Sequence, residues 1–483
     1  MPSIYIETFG CQMNEADSRY IAERALDAGY SVARAVEDAN VVILNTCTVR
    51  DSAERRAYGR MNHLNALKRR DPSLRLVVTG CLAEQDRDRM QTLAPHVDAV
   101  FGTRELVRLG DQLAAWSLAL RDAPPRPSTS SGQARPQDDT GVSMLRFAMG
   151  GTADGVTDEF SHLRAFVTVQ RGCSYYCTFC IVPHVRGRFD HRSRTDILGE
   201  AAERVARGAR EIVLVGQTVN AWHDAAGADF GDLCRDVARL PALERLTFIS
   251  PHPKDFTEKI VEDLGGIVRL NPRIHLPLQS ASDALLRRMN RKYTLAGFDE
   301  KVRSLRSRIP GCAITTDIIV GFPGETEDDF EATLDYVRTG VFANAFTFMY
   351  STRRGTPAAR WEQLPRDVVL ARFERLVEEQ NRVTRAYHES KVGSVVRALI
   401  AGESKKDASK LTAKTLDNVT VVAPKPPAYG ARMPWLDVAI ESGHVWGCKG
   451  TIVGCASRFT DPGATMPAAL VDLTALDLQP LRR

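Results

Sequence analysis

Short apolar runs alternate with helical patterns along most of this 483-residue chain. Near the N-terminus the apolar runs Ile4–Thr8, Val41–Asn45 and Leu76–Thr79 are each followed by a segment with helical periodicity. This alternation is typical of parallel sheets in which helices connect successive strands. Together with 43% hydrophobic and 26% charged residues, it excludes a collagen, a coiled coil and a wholly disordered chain.

The alternation and its interruptions predict an α/β protein built from several parts. After residue 120 the composition shifts to Pro, Ser, Gly and Gln, which is typical of flexible linkers. The βα pattern then returns with six units, which favours an open or partial barrel. We predict a parallel-sheet α/β domain over 2–120, a linker or insertion over 121–158, a partial (β/α)6 barrel over 159–387, a small β-barrel over 390–457 and a tail over 458–483.

The sequence contains neither a predicted membrane-spanning helix nor a predicted signal peptide. No run of about 18 apolar residues occurs, so we expect no membrane-spanning helix. The N-terminus lacks a basic start and carries Glu7 in its apolar stretch, unlike a signal peptide. We therefore expect a cytoplasmic protein, by default a monomer. Its ten cysteines are then expected to serve metal binding or redox chemistry rather than disulfides.

The spacing of Cys173, Cys177 and Cys180 is the strongest chemical signal in the chain. This C-x3-C-x2-C pattern directly follows the first predicted strand of the barrel, and the chemistry of such barrels lies where strands end. Three thiolates suit an iron–sulfur cluster, and a 4Fe–4S cluster held by three of them keeps one iron open. The alternatives are buried apolar cysteines or a structural zinc site, which would need a fourth ligand such as His184.

This pattern at this place resembles the radical SAM enzymes. The resemblance implies that the open iron holds S-adenosylmethionine (SAM) by its amino and carboxylate groups. It also implies that an electron passed to the sulfonium releases methionine and a 5′-deoxyadenosyl radical. Tyr175, Tyr176 and Phe179 stand between the ligands, and the resemblance implies that they shield the cluster and the adenine.

Polar residues and glycines at other strand ends fit a SAM site at the same barrel mouth. They follow the second, fourth and fifth predicted strands of the barrel, in VGQTVN, LPLQS and DIIVGFPGE. Glycines here allow the backbone to approach a bound nucleoside. Each residue taken alone is equally well explained as a turn or capping residue. The predicted SAM-binding residues are Gln217, Asn220, Gln279, Ser280, Gly321 and Gly324.

Three further cysteines share one local context in the N-terminal domain. Cys11, Cys47 and Cys81 each follow a predicted buried strand, in YIETFGC, VVILNTC and LVVTGC. Parallel strands end at one edge of a sheet, where α/β domains bind ligands, so the three thiols can converge on one site. This predicts a second three-thiolate cluster site with an open position. The alternative is three small core residues beside tight turns, since free cysteine is often buried and inert.

A chain with two predicted clusters, each held by three cysteines and keeping one position open, resembles the methylthiotransferases, a subfamily of the radical SAM enzymes. The resemblance covers nearly the whole chain and implies an N-terminal methylthiotransferase domain, a radical SAM core and a C-terminal TRAM domain. It implies two [4Fe–4S] clusters: the CSYYCTFC cysteines hold the radical-generating one, and the three N-terminal cysteines hold an auxiliary, sulfur-supplying one. SAM then serves as radical source and as methyl donor, and a C–H bond becomes C–S–CH3.

Several motifs resemble the branch of this family that modifies N6-isopentenyladenosine in tRNA. Gln12, Met13 and Asn14 follow the first cysteine in ETFGCQMNEADS, and VILNTCTVRDSAE, VGQTVNAW and GCSYYCTFCIVPHVRGR are similar to the same branch. The resemblance implies methylthiolation at C2 of that nucleoside, next to the anticodon. The alternatives are N6-threonylcarbamoyladenosine in tRNA, an aspartate of a ribosomal protein and, more remotely, a non-catalytic iron–sulfur RNA-binding protein.

The C-terminal β-domain is basic: from Ser390 to Ser457 nine Lys or Arg stand against five Asp or Glu. Such a surface suits a phosphate backbone, with a merely solvated charged surface as the alternative. The C2 atom is reached only in an unstacked base, which an anticodon stem-loop supplies. We also expect an electron donor such as flavodoxin or ferredoxin and a sulfur-supplying Fe–S machinery as partners. The predicted RNA-binding residues are Arg186, Arg188, Lys391, Arg397, Lys405, Lys406 and Lys414.

Overall fold

The structure is a computed structural model that describes residues 1–10, 12–33, 35–48, 51–120, 161–404, 406–426 and 433–457. The predicted insertion over 121–158 and tail over 458–483 lie outside these residues, as do Cys11 and Lys405. The chain forms two compact units. The first holds the N-terminal residues together with Arg171–Ser174 and Cys180–Phe189, and the second holds 159–170, Tyr175–Phe179 and the chain from Asp190 onward. The segment with the C-x3-C-x2-C pattern thus contributes to both units, which a division into successive sequence ranges did not anticipate.

The first unit is built on a five-stranded sheet, of which all the paired strands run parallel. Its strands are β1 (Ser3–Thr8), β2 (Ser31–Val32), β3 (Val41–Thr46), β4 (Arg75–Gly80) and β5 (Ala99–Phe101). Its helices are α1 (Gln12–Asp27), α2 (Asp51–Arg70), α3 (Cys81–Gln85), α4 (Arg87–Leu93), α5 (Leu106–Leu120) and α6 (Val182–Arg186). The strand order is β2-β1-β3-β4-β5, and β3 is buried along its whole length, as a central parallel strand covered on both faces should be.

The second unit contains six parallel barrel strands in two three-stranded sheets. They are β6 (Arg164–Thr168), β9 (Glu211–Val215), β10 (Arg245–Phe248), β11 (Arg273–His275), β12 (Ala313–Val320) and β13 (Asn344–Met349); β7 (Gln170–Arg171) and β8 (Asp190–His191) are short. The strand orders are β10-β9-β6 and β11-β12-β13. The helices are α7 (Arg194–Ala206), α8 (Phe230–Ala238), α9 (Glu258–Gly265), α10 (Asp283–Arg288), α11 (Leu295–Arg308), α12 (Glu327–Arg338) and α13 (Arg366–Glu389).

Local sequence explains where several barrel helices begin. The side chains of Ser193, Thr257 and Thr294 accept a hydrogen bond from the backbone N–H three residues later, which satisfies a donor that the first helical turn cannot pair. Asp229 and Thr326 form complete capping boxes. The caps Asp229 and Thr326 begin the helices that follow two strand-end loops with predicted site residues, Gln217 and Asn220 in one and Gly321 and Gly324 in the other.

The rest of the second unit includes a closed five-stranded barrel, in which four of the five strand pairings are antiparallel and one is parallel. It confirms the small C-terminal β-barrel and the predicted fold class as a whole. One of its strands, Asp407–Thr415, does not stand out as an apolar run in the sequence, because its buried positions Leu411, Ala413 and Thr415 include only one large apolar residue. The strands are β14 (Val395–Ser404), β15 (Asp407–Thr415), β16 (Thr420–Pro424), β17 (Trp435–His444) and β18 (Gly447–Ala456), in the order β14-β15-β16-β18-β17.

A buried arginine joins this small barrel to the larger one. The Arg245 Nη2 lies 2.7 Å from Glu211 Oε2, and Nη1 donates to the Thr415 carbonyl over 3.0 Å. The side chains of Arg245 and Glu211 are 3% and 1% exposed, so each charge depends on the other. Within the described residues, none of the helices combines the length and apolar composition needed to cross a bilayer.

Candidate functional site

The N-terminal cysteines follow three neighbouring strands. β1, β3 and β4 are adjacent in the sheet, with Thr8 opposite Asn45 and Thr46 opposite Gly80. Cys47 comes directly after β3 and Cys81 directly after β4, and the two residues are 0% and 1% exposed. Cys11 lies outside the described residues, but the residue before it, Gly10, is described.

Two glycines allow these strand ends to approach one another closely. Gly10 has φ +114°, and a Cβ placed there would lie 2.2 Å from Cys47 Cβ and 2.7 Å from Cys47 Sγ. Gly80 has φ +97°, and a Cβ there would lie 2.2 Å from the Thr46 carbonyl oxygen. Both positions therefore require glycine, for backbone conformation and for space. The donor atoms that the structure describes at these strand ends are the thiols of Cys47 and Cys81, and thiolates are the usual ligands of iron–sulfur clusters.

Replacing Gly10 by alanine should remove the auxiliary cluster and leave the second unit folded. The added methyl group collides with Cys47 and strains a left-handed backbone, so the loop before Cys11 must move. We expect the reconstituted protein to bind roughly half as much iron, because one of two clusters of equal size is lost. Iron and sulfide analysis with circular dichroism measures this. Gly59→Ala is the matched control, since its Cβ meets nothing within 4 Å; a full iron content in Gly10→Ala would contradict the prediction.

Asn14 holds the loops of this site in place. Its Nδ2 donates to the Phe9 carbonyl over 2.9 Å and to the Thr46 carbonyl over 2.8 Å. These two carbonyls stand at the ends of β1 and β3, just before the cysteine positions. The Asn14 carbonyl in turn accepts from Asn45 Nδ2 over 2.8 Å. Asn14, the last residue of the Gln-Met-Asn motif that was recognised only by resemblance, thus holds the strand-end loops that precede Cys11 and Cys47.

Arg186 belongs to this site and not to an RNA surface. Its side chain is 4% exposed, and its Nη2 donates to Asn14 Oδ1 over 2.9 Å and to Asp17 Oδ2 over 2.8 Å. Its Nε donates to Cys81 Sγ over 3.2 Å. The structure does not support the predicted phosphate contact at Arg186, because a buried guanidinium with these partners is not presented to a backbone phosphate. Sequence reasoning placed it on the surface because it lies among other arginines.

Cys177 is held in the second unit by another buried arginine that sequence reasoning missed. Arg291 Nη1 donates to Cys177 Sγ over 3.4 Å, Nη2 to the Pro277 carbonyl over 3.2 Å and Nε to the Tyr293 hydroxyl over 2.9 Å. Cys177 is 8% exposed and Arg291 is 9% exposed. A guanidinium directed at a sulfur suits a thiolate ligand, since hydrogen bonds to charged acceptors are the stronger ones. No local pattern around Arg291 would have indicated this role.

The other two cysteines of the triplet lie in the first unit, where both are partly exposed. The Cys173 N–H donates to the Gly187 carbonyl over 3.0 Å. Gly172, just before it, has φ +71° and approaches the Arg188 carbonyl so closely that a Cβ would lie 2.0 Å away. Cys173, Cys177 and Cys180 span only eight residues of the chain, and their role as ligands of one cluster stays a prediction.

The aromatic residues between these cysteines have defined contacts in the second unit. The Tyr175 ring lies 4.4 Å from the His252 ring, and its hydroxyl donates to Asp255. Burial, with the positive charges of Arg291 and Lys254, lowers the pKa of His252 to about 2, so this imidazole is neutral. Tyr176 is 44% exposed. Shielding of a cluster by these rings stays a prediction.

The structure gives four of the predicted SAM-binding residues roles inside the protein. Asn220 Nδ2 donates to the His252 carbonyl over 2.9 Å and its Oδ1 accepts from the His252 N–H over 2.7 Å. Ser280 Oγ lies 3.2 Å from Thr333 Oγ1. A Cβ on Gly321 or Gly324 would lie 2.5 Å from Val369 or 3.0 Å from Arg288. These residues shape the loops at the barrel mouth, which accords with the turn or capping explanation.

Gln217 and Gln279 stand at the same strand ends in different settings. The backbone N–H of Gln217 donates to Gln170 Oε1 over 3.2 Å. Gln279 is 7% exposed and has φ +74°, a strained conformation for a non-glycine residue that is typical of functional loops. Its N–H donates to the Asp317 carbonyl over 2.8 Å. SAM binding by all six residues stays a prediction.

The inner face of one barrel sheet carries residues that the sequence analysis did not single out. Asp317 pairs in register with Phe346, and Ile319 with Phe348, so these side chains share one face. His275 Nε2 lies 3.3 Å from Asp317 Oδ2, and its ring meets Phe346 edge-on at 6.0 Å. The alternate residues Ile318 and Val320 of β12 lie in the buried core, and Ala345 of β13 packs against it. Phe346 and Phe348 are 47% and 36% exposed, which is unusual for aromatic side chains on a barrel's inner face.

The remaining predicted RNA-binding residues fall into two groups. Arg188 and Lys406 are exposed. Lys391 and Arg397 are paired with Asp417 and Asp437 over 2.6 and 2.8 Å. Burial, with the charges of neighbouring arginines, lowers the pKa of Lys414 to about 8; the amine stays mostly protonated at pH 7 but is half-buried and donates to Thr420 Oγ1. Phosphate binding is therefore best supported at the first group.

Comparison with known proteins shows that the two parts of the chain that carry these cysteines match known families. Residues 3–102 match the family described as Uncharacterized protein family UPF0004, and residues 167–337 match the Radical SAM superfamily. A tRNA-2-methylthio-N(6)-dimethylallyladenosine synthase of Streptomyces viridosporus is 41% identical over 435 residues, covering 87% of this chain and 81% of the relative. A synthase of the same name from Acetivibrio thermocellus is 37% identical over 454 residues, covering 93% and 90%.

A solved structure shows the same fold at low sequence identity. The radical S-adenosylmethionine methyltransferase TsrM from Kitasatospora setae, with cobalamin and a [4Fe-4S] cluster bound, superposes with a TM-score of 0.53. It is 16% identical and covers 74% of each chain. At this identity the likeness concerns the fold alone.

Proposed function

Because the chain belongs to the tRNA-2-methylthio-N6-dimethylallyladenosine synthase family, we propose that it methylthiolates C2 of N6-dimethylallyladenosine, also called isopentenyladenosine, in tRNA. It is a radical SAM enzyme of the methylthiotransferase type, with SAM and iron–sulfur clusters as cofactors. We place the target nucleoside next to the anticodon, in a loop whose bases are already partly unstacked. The name that the relatives share supports N6-dimethylallyladenosine as the nucleoside that is modified.

One observation carries the proposal: buried cysteines outside the C-x3-C-x2-C segment follow neighbouring strands of the N-terminal sheet. Cys47 and Cys81 end adjacent strands, and Gly10 brings the loop before Cys11 against Cys47. A radical SAM enzyme that only abstracts hydrogen needs a single cluster. A second set of buried thiols supports a reaction in which sulfur must be supplied as well.

The bound cofactors supply radical chemistry, the sulfur and the methyl group, and the chain's own residues position the reactants. Arg291 orients the Cys177 thiolate by its hydrogen bond, and it is itself fixed by Pro277 and Tyr293. Asn220 and His252 pin the neighbouring strand-end loops together. Burial of the auxiliary thiols keeps water away from sulfur, which limits side reactions.

We further propose that the target base lies on the inner sheet face formed by Phe346 and Phe348. Exposed aromatic rings stack on unpaired bases with about 1–3 kcal/mol for each base. His275 and Asp317, joined by their 3.3 Å contact, offer polar atoms beside the rings for the edge of an adenine. The dimethylallyl group is apolar and suits the same aromatic surface. The base reaches it only when flipped out of its stack.

The exposed Arg188 and Lys406 support an approach of the tRNA backbone from two parts of the chain. An external electron donor of the flavodoxin or ferredoxin type and a sulfur-supplying Fe–S machinery complete the cycle in this proposal. A cytoplasmic location, where tRNA and these partners occur, follows from the proposed substrate.

Mass spectrometry of tRNA nucleosides from a strain lacking this gene tests the proposal. We expect 2-methylthio-N6-dimethylallyladenosine to disappear and the unthiolated nucleoside to accumulate, and a complementing copy should restore the product. A complementing copy carrying Cys47→Ala is the control for catalysis by this chain. An unchanged pool of the dimethylallyl nucleosides would refute the substrate and direct attention to the threonylcarbamoyl nucleoside, then to the ribosomal aspartate.

A further inference from the structure

Arg186 connects the two cysteine-bearing segments of the first unit. It is the last residue of α6, six residues after Cys180, and its guanidinium lies against Cys81 at the end of β4. The same helix packs Ile181 and Val185 in an apolar cluster with Cys81. The segment that follows the C-x3-C-x2-C pattern is thereby anchored on an auxiliary-site cysteine by both packing and charge.

Arg186 is a buried charge whose donors are paired with buried polar groups. Its side chain and that of Asp17 are 4% and 2% exposed, and Asn14 is 0% exposed. Asp17 supplies one countercharge at 2.8 Å, and Asn14, which binds the Phe9 and Thr46 carbonyls, supplies a neutral acceptor. Burying a guanidinium is costly unless each donor is used. Here the Nε donor is used on a sulfur atom, Cys81 Sγ.

A hydrogen bond from a guanidinium affects a cluster ligand more than a neutral thiol. A thiolate is a charged acceptor, so the bond is charge-assisted. Groups that donate to cluster sulfurs, and positive charges near them, stabilise the electron added on reduction and raise the reduction potential. Asp17 has the opposite effect, because its negative charge opposes that electron.

We propose that Arg186 is a positioning residue of the auxiliary site, which orients the Cys81 thiolate and raises the reduction potential of the cluster held there. Asp17 moderates this effect. The potential of the cluster therefore lies below the value that Arg186 alone would give and above the value that Asp17 alone would give. This inference rests on the proposed function, in which Cys81 is a ligand of the auxiliary cluster.

The experiment isolates the auxiliary cluster in the full chain. Cys173, Cys177 and Cys180 are replaced by alanine, the protein is reconstituted with iron and sulfide, and the remaining cluster is titrated reductively with EPR detection. Arg186→Gln should keep the cluster, shift its potential to more negative values and alter its EPR g-values. Asp17→Asn should shift the potential in the opposite direction, which a merely structural disturbance would not do. Arg186→Lys, which keeps the charge, should shift less than Arg186→Gln.

Arg171→Gln is the matched control, because Arg171 reaches the same Asp17 carboxylate at 3.7 Å from a partly exposed position. The cluster potential measured in Arg171→Gln should differ less from that of the parent protein than the cluster potential measured in Arg186→Gln. An unchanged potential in Arg186→Gln with an intact cluster, or shifts of one sign in Arg186→Gln and Asp17→Asn, would overturn the proposal. If Arg186→Gln does not assemble, Arg186→Lys and Asp17→Asn decide it, since unchanged potentials in both overturn it. Retention of the cluster in Cys81→Ala would instead refute the ligand assignment.

Discussion

Replacing Cys177 by alanine should abolish the reductive cleavage of SAM while the fold is kept. Cys177 is 8% exposed and its Sγ accepts from Arg291 over 3.4 Å, so the variant loses a cluster ligand and leaves a buried guanidinium without one of its acceptors. Loss of residues that merely support a metal ligand costs about 10–100-fold in activity. Loss of the ligand itself should therefore lower 5′-deoxyadenosine formation by more than about 100-fold.

The measurement is 5′-deoxyadenosine by mass spectrometry after incubation with SAM and a strong reductant. Cys234→Ala is the control, because Cys234 is a fully buried core residue of α8 and burial raises the pKa of its thiol. That variant should cleave SAM at close to the parental rate. Parental 5′-deoxyadenosine formation in Cys177→Ala would show that the triplet does not generate the radical.

Replacing Cys47 by alanine should separate radical formation from sulfur transfer. Cys47 is 0% exposed, follows β3 and lies against Gly10 in the first unit, whereas Cys177 and Arg291 belong to the second. We expect SAM cleavage to persist within about threefold of the parent, because Arg291, Pro277 and Tyr293, which hold the Cys177 thiol in place, are unchanged. Formation of the methylthio nucleoside should fall to background, because the sulfur-bearing site lacks a ligand.

Both products are measured in one reaction with tRNA carrying the dimethylallyl nucleoside. Cys312→Ala is the matched control: it is also a buried cysteine, and burial raises the pKa of its thiol to about 12, but it stands in the barrel core. It should form both products. A normal yield of methylthio nucleoside from Cys47→Ala would be incompatible with an auxiliary cluster at this site.

Sequence patterns were sufficient for the fold class because its causes are local, whereas the two cysteine sites stay predictions. A buried parallel strand is a short apolar run, and β3, β9 and β12 coincide with such runs within one residue at each end. The C-x3-C-x2-C spacing is fixed by covalent geometry. Strand β15 was missed because Ala413 and Thr415 are buried there by pairing with neighbouring strands and not by their own hydrophobicity.

The roles of the charged residues depended on burial, which sequence does not encode locally. Arg186 stands two residues before the exposed Arg188 in the chain but is enclosed with Asp17 and Cys81. Arg291 lies far from Cys177 in sequence and reaches it through the fold. Lys391 and Arg397, predicted to meet RNA, are paired with aspartates from other strands and loops.

The sequence by itself thus determined the fold class, the positions of the two sets of cysteines along the chain and the family of enzymes that they resemble, since these follow from residue type and spacing. Only the tertiary structure decided that β1, β3 and β4 are neighbours, which glycines let their ends meet, and which arginines face the thiols. The physical reason is that a charge acquires its function from the desolvated partners around it, and these come from distant segments that only the fold brings together.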